Sequence, residues 1–361
     1  MSVTAIPPQA ATAGPLALTF ILPTRNRRQW VGRAIESCLQ AHQSAVSVEV
    51  LVIEGNSTDG SFEWVAQRYA GDSRVRLLRQ QGPKGFMPAC FFAVPQVRTP
   101  FATFMYDDDV LSNHWADLPR ELQRRGASFI MGFNTEGDIA GSSCFERVTR
   151  LRLVSPSFLL RAFCGCGHEL SRHGLPFSPI CCLTRTDWLR EWMRELEQFT
   201  RARPMREHFM MHRNAGPDLM IYFYSIVNHS EEIVVFDGPV AQFSAHSESF
   251  TSGFTKTDLT IGYWLAHIWL CDRLRALGRH ADAGWCAAYS VKQGVRLVLR
   301  RLRGGQPLWL ASLLKEIAAL TRRTISAPSA FGFAKSFLVL LLPRRCRPRF
   351  GLSARTEQLV S

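Results

Sequence analysis

Three adjacent carboxylates, Asp107, Asp108 and Asp109, form the part of the sequence with the clearest chemical meaning. They follow the apolar run 101–105 directly, and such a run predicts a buried strand. Neighbouring carboxylates repel one another in a partly buried turn, and a divalent cation removes that repulsion. Oxygen ligands suit Mg²⁺ or Mn²⁺, which use one or two carboxylates together with substrate phosphates. We therefore predict a metal site here, with a solvated acidic loop as the alternative.

Two earlier polar turns also follow apolar runs. Pro23, Thr24 and Arg25 come after the first run, and Glu54 comes after the second. Between the runs, apolar residues recur at helical spacing, so strands and helices alternate through residue 135. This alternation predicts an α/β fold with a parallel, doubly wound sheet and helices on both faces. Ligands of such sheets bind beyond the carboxyl ends of the strands, so we expect the three turns to meet in space.

The rest of the chain is less regular at first and then helical. The patterns predict helices near 186–199 and 218–228, short strands at 232–236 and 240–243, and C-terminal helices at about 257–277, 280–302 and 307–323. We find no internal repeat.

Three motifs in series resemble those of family-two glycosyltransferases. Residues 23–27 resemble the family's P-T-x-N-R segment, residues 54–61 its acidic S-T-D-G-T turn, and residues 106–111 its D-x-D segment. Their order and their separations also match the family. The resemblance covers residues 17–135 well and extends weakly to about residue 250. It implies a GT-A fold, which here would carry a helical C-terminal extension.

The resemblance also implies a reaction: metal-dependent, inverting transfer of a sugar from a nucleotide-sugar donor to a hydroxyl group. The metal would be Mg²⁺ or Mn²⁺, and the donor would be a UDP-, GDP- or dTDP-linked sugar. The acceptor would be a glycan or a lipid-linked molecule, as in the synthesis of bacterial surface polysaccharides. A non-catalytic nucleotide-sugar-binding protein or a membrane-associated scaffold is the alternative, and the intact acidic run argues against it.

The family's site residues carry over to matching positions. Pro23, Thr24 and Arg25 would line the nucleoside pocket, Glu54 would face the base and ribose, Asp108 would lie near the ribose, and Asp107 and Asp109 would hold the metal. One position departs from the family, because Gly55 stands where an aspartate often contacts a uracil. The donor base therefore stays open. We expect Asp59 to hold its loop rather than to touch the donor.

Two further residues have both a functional and a structural interpretation. Lys84, in the glycine-flanked segment 82–85, would reach the donor phosphates or base, or else is a surface turn residue. His246 would be a late metal or diphosphate ligand, as in some GT-A enzymes, or else a histidine with a structural role.

An inverting transferase needs a general base to deprotonate the attacking hydroxyl. In the family this is usually an acid at the start of a helix in the acceptor half, often in an E-D pair. Asp218 is the best counterpart, although Pro217 replaces the usual first acid and Asp218 would also serve as a helix cap. Glu207 and Asp187 are the alternatives.

These assignments divide the chain into three parts. Residues 1–16 would be a flexible leader, residues 17–250 the GT-A domain, and residues 251–361 a helical region in possible contact with a membrane. Within the domain, residues 17–135 would bind the nucleotide sugar and residues 136–250 the acceptor.

The formal net charge of +13 favours anionic partners. The charge is densest in residues 296–303 and 344–349, which are either a solvated face or a membrane-binding surface. The apolar segment 331–342 is too short to span a bilayer and would lie in its interface or be buried. No zinc finger, RRM-like aromatic box or KH loop is present, so we do not expect nucleic acid as a partner. Nucleotidyl transfer is disfavoured because residues 23–26 lack the glycines it would need.

Ten cysteines and the lack of a secretory signal favour reduced thiols and a cytoplasmic protein, either free or peripheral on the cytoplasmic face of the membrane. Cys164, Cys166 and His168, with Cys181 and Cys182, do not have the spacing of a common zinc module.

Overall fold

The computed structural model describes residues 15–43, 46–137, 150–166, 175–176, 178–244, 246, 256–305, 308–325, 334 and 355–358. The predicted leader, apart from its last two residues, lies outside the described residues. So do the arginine-rich segment 344–349 and, apart from residue 334, the apolar segment 331–342.

The first half of the chain alternates strands and helices as predicted. Its elements are β1 (Leu16–Thr24), α1 (Arg28–Gln40), β2 (Val46–Glu54), α2 (Ser61–Arg68), β3 (Val75–Arg79), α3 (Phe86–Ala93), β4 (Phe101–Phe104), β5 (Val110–Leu111), α4 (Asp117–Arg125) and β6 (Phe129–Gly137). The short strand β5 was not predicted from the sequence.

The second half differs more from the prediction. Its elements are β7 (Arg150–Val154), α5 (Pro156–Arg161), β8 (Cys182–Arg185), α6 (Thr186–Arg201), α7 (Pro204–Glu207), α8 (Pro217–Asn228), β9 (Ile233–Ser244), α9 (Lys256–Ala276), α10 (His280–Arg303), α11 (Leu310–Ile325) and β10 (Arg355–Gln358). The two predicted strands at 232–236 and 240–243 are one strand, β9, which continues through Gly238. Strands β7 and β8 were not predicted.

All these strands except β5 form one sheet path, in the order β3-β2-β1-β4-β8-β6-β9-β7-β10, and β5 pairs with β9. Strand β1 lies between β2 and β4 and is parallel to both. Strand β8 enters antiparallel between β4 and β6, whereas β6 and β9 are parallel. The predicted α/β class is therefore confirmed, and the half of the sheet nearest the N-terminus has the predicted parallel order.

Alternation of side chains along the strands builds an apolar cluster on each face of the sheet. On one face, Phe20 and Leu22 of β1 pack with α1 and α4. On the other face, Ile21 of β1 joins a larger cluster that includes α3, α6 and α8. Strands buried on both sides are near-continuous apolar runs, which is why β1 and β2 were recognisable from the sequence.

The C-terminal helices belong to this larger cluster. Trp264 and Leu265 of α9, Leu297 of α10 and Leu313 of α11 are all buried in it. At the start of α9 the contact is between backbones, because a Cβ on Gly216 would lie 2.3 Å from the carbonyl oxygen of Gly262. A Cβ on Gly262 would lie 2.2 Å from the carbonyl oxygen of Ala215. The described helices include none with the length and apolarity needed to cross a bilayer. The proposed boundary near residue 250 stays a prediction.

A buried ion pair joins α7 to α11. Both carboxylate oxygens of Glu316 accept hydrogen bonds from the Arg206 guanidinium, at 2.8 and 2.9 Å. The Glu316 side chain has no solvent exposure, and Arg203 lies 3.3 Å away as a second cation. Removing one partner of such a pair leaves an uncompensated buried charge.

We expect the Glu316→Ala variant to lose about 3–5 kcal/mol of unfolding free energy, because Arg206 would remain buried without its partner. Urea denaturation measures this loss. The matched control is Glu197→Ala, which removes an exposed partner of Arg201 on α6 and should cost less than about 1 kcal/mol. Equal losses in the two variants would contradict the structural role of the buried pair.

Candidate active site

The three polar turns meet at the carboxyl edge of the parallel strands, as predicted. The hydroxyl of Thr24, at the end of β1, donates a hydrogen bond of 2.8 Å to Asp107 Oδ2. The backbone N–H of Gly55, just after β2, donates to the carbonyl oxygen of Thr24 at 2.8 Å. The turn after β1 thus contacts the turns after both neighbouring strands.

Asn26 joins the first two turns through its side chain and backbone. Its Oδ1 accepts the N–H of Thr58 at 2.9 Å, and its own N–H donates to Ser57 Oγ at 2.8 Å. Asn26 has a φ of +54°, in the left-handed region that asparagine tolerates better than most residues. This conformation turns the chain back toward the second turn.

Asp59 has the loop-holding contacts that the sequence predicted. Its carboxylate accepts the N–H of Arg28 at the start of α1, at 3.1 Å, and the N–H of Ser61 at the start of α2, at 3.0 Å. Two helix starts are therefore held by one side chain. These hydrogen bonds contribute to the lowered pKa of Asp59, against the opposing effect of burial.

Glu54 is fully buried at the end of β2. Its Oε1 accepts the N–H of Ser57 at 2.5 Å, which closes the turn. Its Oε2 is also buried and has no hydrogen-bond partner among the described residues. A buried acceptor without a donor is costly, so this oxygen is available for an N–H or O–H group of a ligand.

The close contact of the first two turns explains the glycine at position 55. A Cβ there would lie 3.2 Å from the Cβ of Arg25 and 3.3 Å from the carbonyl oxygen of Thr24. The exposed Arg25 and the buried Pro23 occupy the same edge of the sheet. An aspartate at this position would therefore require the first turn to shift by a few tenths of an ångström.

Burial keeps the acidic run under electrostatic strain. Burial and then repulsion by Asp108 raise the pKa of Asp107 to about 7, against the hydrogen bond from Thr24 and the charge of Arg27. The same two causes raise the pKa of Asp109 well above its usual value. Asp108 and Asp109 are both less than one-tenth exposed. A cation at this edge would relieve the repulsion.

Asp108 and His246 are in direct contact. His246 Nε2 lies 3.0 Å from Asp108 Oδ2, and the imidazole packs against the indole of Trp30 with ring centroids 5.2 Å apart. The other ring nitrogen, Nδ1, is buried without a hydrogen-bond partner in the described structure. The structure thus places His246 against Asp108 rather than against Asp107 or Asp109, and its role as a ligand stays a prediction.

Arg33 and Ser244 hold the acidic run in place. The Arg33 guanidinium donates to the carbonyl oxygen of Asp108 at 2.9 Å and to Ser244 Oγ at 2.8 Å. The N–H of Ser244, the last residue of β9, donates to Asp109 Oδ1 at 3.0 Å. Neither residue was predicted to belong to the site. Arg33 lies on a predicted helix, but no sequence motif around it indicates a site residue. Ser244 reaches the acidic run only because β9 pairs with β5.

The chemistry of this donor set is suited to a divalent cation. Within the described ranges, no three His, Cys, Asp or Glu side chains lie close enough together to hold a metal ion by themselves. Magnesium usually needs only one or two carboxylates, together with substrate phosphates and water. Asp107 and Asp109 would be those carboxylates.

Asp218 lies at the start of α8 in a cleft that also reaches Tyr106, the neighbour of Asp107. Most of the other residues of this cleft are apolar: Phe86, Met87, Cys90, Phe104, Pro179, Trp192, Pro217 and Ile221. Burial raises the pKa of Asp218 to about 7, against hydrogen bonds from backbone N–H groups and from the hydroxyl of Tyr263. At neutral pH such a carboxyl exchanges protons readily, as a general base must.

Tyr263 is a further site residue that the sequence did not indicate. It lies on α9, and its hydroxyl hydrogen-bonds the Asp218 carboxylate. The backbone contact of Gly216 with Gly262 brings the two side chains together. No local motif marks this pair, because 45 positions separate Asp218 from Tyr263.

The other predicted residues lie apart from the acidic run. Asp187 pairs with Arg185, which is opposite Phe101 at the amino end of β4, so Asp187 lies at the other edge of the sheet. Glu207 is exposed on α7. Lys84 is exposed in a loop whose Pro83 carbonyl oxygen accepts a hydrogen bond from Gln80. Its contact with a donor stays a prediction.

Among the described cysteines, Cys181 and Cys182 do not lie together as ligands of one zinc ion would. Cys181 and Cys182 are buried on opposite faces of the sheet, so they do not share one ion. Cys164 is buried, and its thiol contacts that of Cys286. The Cys166 side chain and His168 lie outside the described residues.

Residues 19–152 match the model of the family described as glycosyl transferase family 2. Two curated relatives match parts of the chain. Glycosyltransferase GlyG of Streptococcus pneumoniae is 22% identical over 116 residues, which are 32% of this chain. An uncharacterized glycosyltransferase of Haemophilus influenzae is 28% identical over 96 residues, or 27% of this chain. Each match spans 38% of the relative's own length.

The crystal structure of S. aureus TarS residues 1–349 in complex with UDP-GlcNAc has a similar fold. Its TM-score is 0.55 at 13% sequence identity, and the superposition covers 89% of this chain and 88% of that one. The predicted GT-A architecture with C-terminal helices is therefore confirmed. The resemblance drawn from the three motifs is confirmed as well, because residues 19–152 match the model of glycosyl transferase family 2.

Proposed function

We propose that this protein transfers a sugar from a nucleotide-sugar donor to a hydroxyl group of a glycan or lipid-linked acceptor, with inversion at the anomeric carbon. One observation carries the proposal. The buried acidic run at the carboxyl edge of the sheet adjoins a cleft that holds a second carboxyl, Asp218, poised to exchange a proton near neutral pH. The family of the domain and the similarity of its fold to a structure with bound UDP-GlcNAc support this function.

The nucleoside would bind between the first two turns. Pro23, Thr24 and Arg25 would line its pocket, and the unpaired Oε2 of Glu54 would accept a hydrogen bond from the base or the ribose. Asp108, steadied by His246, would lie near the ribose. Guanine and the pyrimidine bases of UDP and dTDP all offer an N–H donor, so Glu54 does not choose among them.

Asp107 and Asp109 would hold Mg²⁺ or Mn²⁺ together with the donor diphosphate. When bound, the metal neutralises negative charge on the departing diphosphate. Thr24 would fix the orientation of the Asp107 carboxylate, and Ser244 that of Asp109, because each donates a hydrogen bond to it. Lys84 and His246 would be additional contacts to the phosphates or the metal.

Asp218 would act as the general base. Its carboxylate would accept the proton of the acceptor hydroxyl as that oxygen attacks the anomeric carbon and the bond to the diphosphate breaks. Tyr263 would position the carboxylate through its hydrogen bond. The apolar walls of the cleft would limit the access of water, which would otherwise compete with the acceptor.

We propose a cytoplasmic location, where nucleotide sugars would reach the site, with peripheral contact at the cytoplasmic face of a membrane for a lipid-linked acceptor. A role in the synthesis of cell-surface polysaccharide would follow. A non-catalytic binding protein would bind the donor without transfer, so measurements of binding and of turnover together distinguish the two functions.

A panel of UDP-, GDP- and dTDP-sugars with Mn²⁺ or Mg²⁺ should include a donor that raises the thermal unfolding temperature only when metal is present. At a donor concentration of about 100 times Kd, the stabilisation would be about 2.7 kcal/mol. Asp109→Asn should abolish this shift, whereas Glu63→Gln, a change at an exposed acid on α2, should leave it intact. A metal-dependent shift that survives in the Asp109 variant would refute the metal assignment.

Asp218→Asn should lower kcat by about 10²–10⁴-fold, because the amide does not accept the hydroxyl proton. Donor affinity should stay within about twofold of wild type, since the proposed donor pocket excludes this side chain. Steady-state kinetics and donor titration provide the two measurements. The matched control is Asp187→Asn at the opposite edge of the sheet. If Asp218→Asn turns over as fast as the control, Asp218 is not the base.

Asp218 should also make stability depend on pH. Its pKa of about 7 in the folded protein exceeds that of an unfolded aspartate, about 3.9. The folded state therefore holds the extra proton between these values, and the contribution of Asp218 to stability is lost as pH rises through 7. Asp218→Asn should gain about 1–2 kcal/mol of unfolding free energy relative to wild type between about pH 4 and pH 8. Urea denaturation across this range measures the difference, and a constant difference would contradict the raised pKa.

A further inference from the structure

The well-exposed large apolar side chains of the described structure fall in one short stretch of the chain. In the described structure, the large hydrophobic residues that stand well exposed are Val295, Leu299, Leu302, Leu308 and Leu314, with exposed fractions of 45–67%. All five fall within twenty positions, on α10, on α11 and in the turn between them. Single exposed leucines need no explanation, but a contiguous group usually marks a surface that binds something.

The residues on α10 form a stripe. At 3.6 residues per turn, Val295, Leu299 and Leu302 project within about 60° of one another. Each is followed by an exposed arginine, and Arg296, Arg300 and Arg303 project about 100° further round the helix. The helix thus presents an apolar stripe and a parallel cationic stripe side by side.

The charge around this surface is mainly positive. Residues 291–323 contain eight lysines and arginines and a single acid, Glu316. Two of the eight, Arg301 and Arg323, pair with Asp258 and Asp272 of α9. Glu316 is fully buried and paired with Arg206, so it does not offset the surface charge. No described acidic side chain forms an ion pair with Arg296, Arg300 or Arg303.

We propose that this α10–α11 surface docks the protein on an anionic lipid membrane. The apolar stripe would enter the boundary between headgroups and acyl chains, as the apolar face of an interfacial helix does. The arginine stripe would contact the negatively charged headgroups, at about 1 kcal/mol for each basic residue. The surface belongs to helices that pack into the core, so docking requires no part of the chain to span the bilayer.

The arrangement favours lipid over other occupants. A second copy of the chain would bring two arginine stripes together, and their repulsion opposes a symmetric contact. The sequence segment 344–349 is itself arginine-rich and would be repelled in the same way. Nucleic acid would be attracted to the arginines but would leave the apolar stripe exposed to water. Only an anionic surface with an apolar interior uses both stripes.

The inference rests on the membrane contact included in the proposed function and names the surface that makes it, but it does not require the transfer reaction. Docking would bring a lipid-linked acceptor within reach of the protein. The full-length protein should sediment with vesicles of phosphatidylcholine containing about one-third phosphatidylglycerol. It should bind pure phosphatidylcholine vesicles far more weakly, and added salt should weaken its binding to the anionic vesicles.

Two variants separate the contributions of the stripes. Replacing Arg296, Arg300 and Arg303 by Gln should weaken vesicle binding about 100-fold, since about 1 kcal/mol per residue is about fivefold each. Leu299→Ser combined with Leu302→Ser should weaken it at least about tenfold. The matched control replaces three exposed arginines elsewhere, Arg98, Arg194 and Arg201, by Gln and should bind as wild type.

The outcomes are distinct. Equal binding by wild type and both α10 variants would overturn the proposal, and so would no binding by wild type. Loss on arginine replacement with full retention on leucine replacement would indicate a polyanion such as nucleic acid and would also overturn it. All variants should keep the metal-dependent thermal shift with the donor. A failure of the donor assay in wild type would therefore refute the transferase function, and the proposal that the α10–α11 surface binds lipid would still stand.

Discussion

The parallel pairing of β1 with β2 on one side and β4 on the other is the constraint on which the site depends. Parallel strands deliver their carboxyl ends to one edge, so three turns far apart in sequence arrive together. The hydrogen bond from Thr24 to Asp107 and that from Gly55 to Thr24, both 2.8 Å, then hold the turns against one another. Shifting the register of β1 by one residue would break both contacts at once.

This arrangement places several carboxyl groups at an edge of the sheet where burial destabilises their charged forms. Asp107, Asp108, Asp109 and Glu54 are all removed from much of the solvent, and burial raises the pKa of two of them. Such a cluster lowers the stability of the folded chain. Thr24 and the Ser244 backbone each orient one carboxylate, and Arg33 holds the carbonyl oxygen of Asp108, but these donors do not neutralise the whole cluster. Carboxyl groups with strongly raised pKa values cluster at functional sites, and this supports the proposed donor site at the acidic edge.

Sequence reasoning reached the carboxyl edge of the parallel strands because the signals of that edge are local. Each of its strands is a short apolar run followed by a polar turn, and Thr24, Glu54 and Asp107 sit in those turns. It missed Arg33, Ser244 and Tyr263 because they approach only through long-range pairing, in particular β5 with β9 and α8 with α9. The antiparallel strand β8 escaped for a related reason: Cys182–Arg185 is four residues long and inserts between β4 and β6. The single strand β9 was read as two because a glycine and a proline lie in its middle, where a turn would usually be expected.

The backbone contact of Gly216 with Gly262 packs the C-terminal helices directly against the start of α8, where Asp218 lies. A chain cut after β9 would keep the residues proposed to hold the nucleotide, except His246. It would lose the backbone of α9 against which the start of α8 packs. The acidic run would then survive truncation, whereas Asp218 would lose its hydrogen bond from Tyr263. Exchange of α9–α11 for another module would therefore be strongly constrained. Any replacement would need a glycine where its backbone meets the segment 215–216.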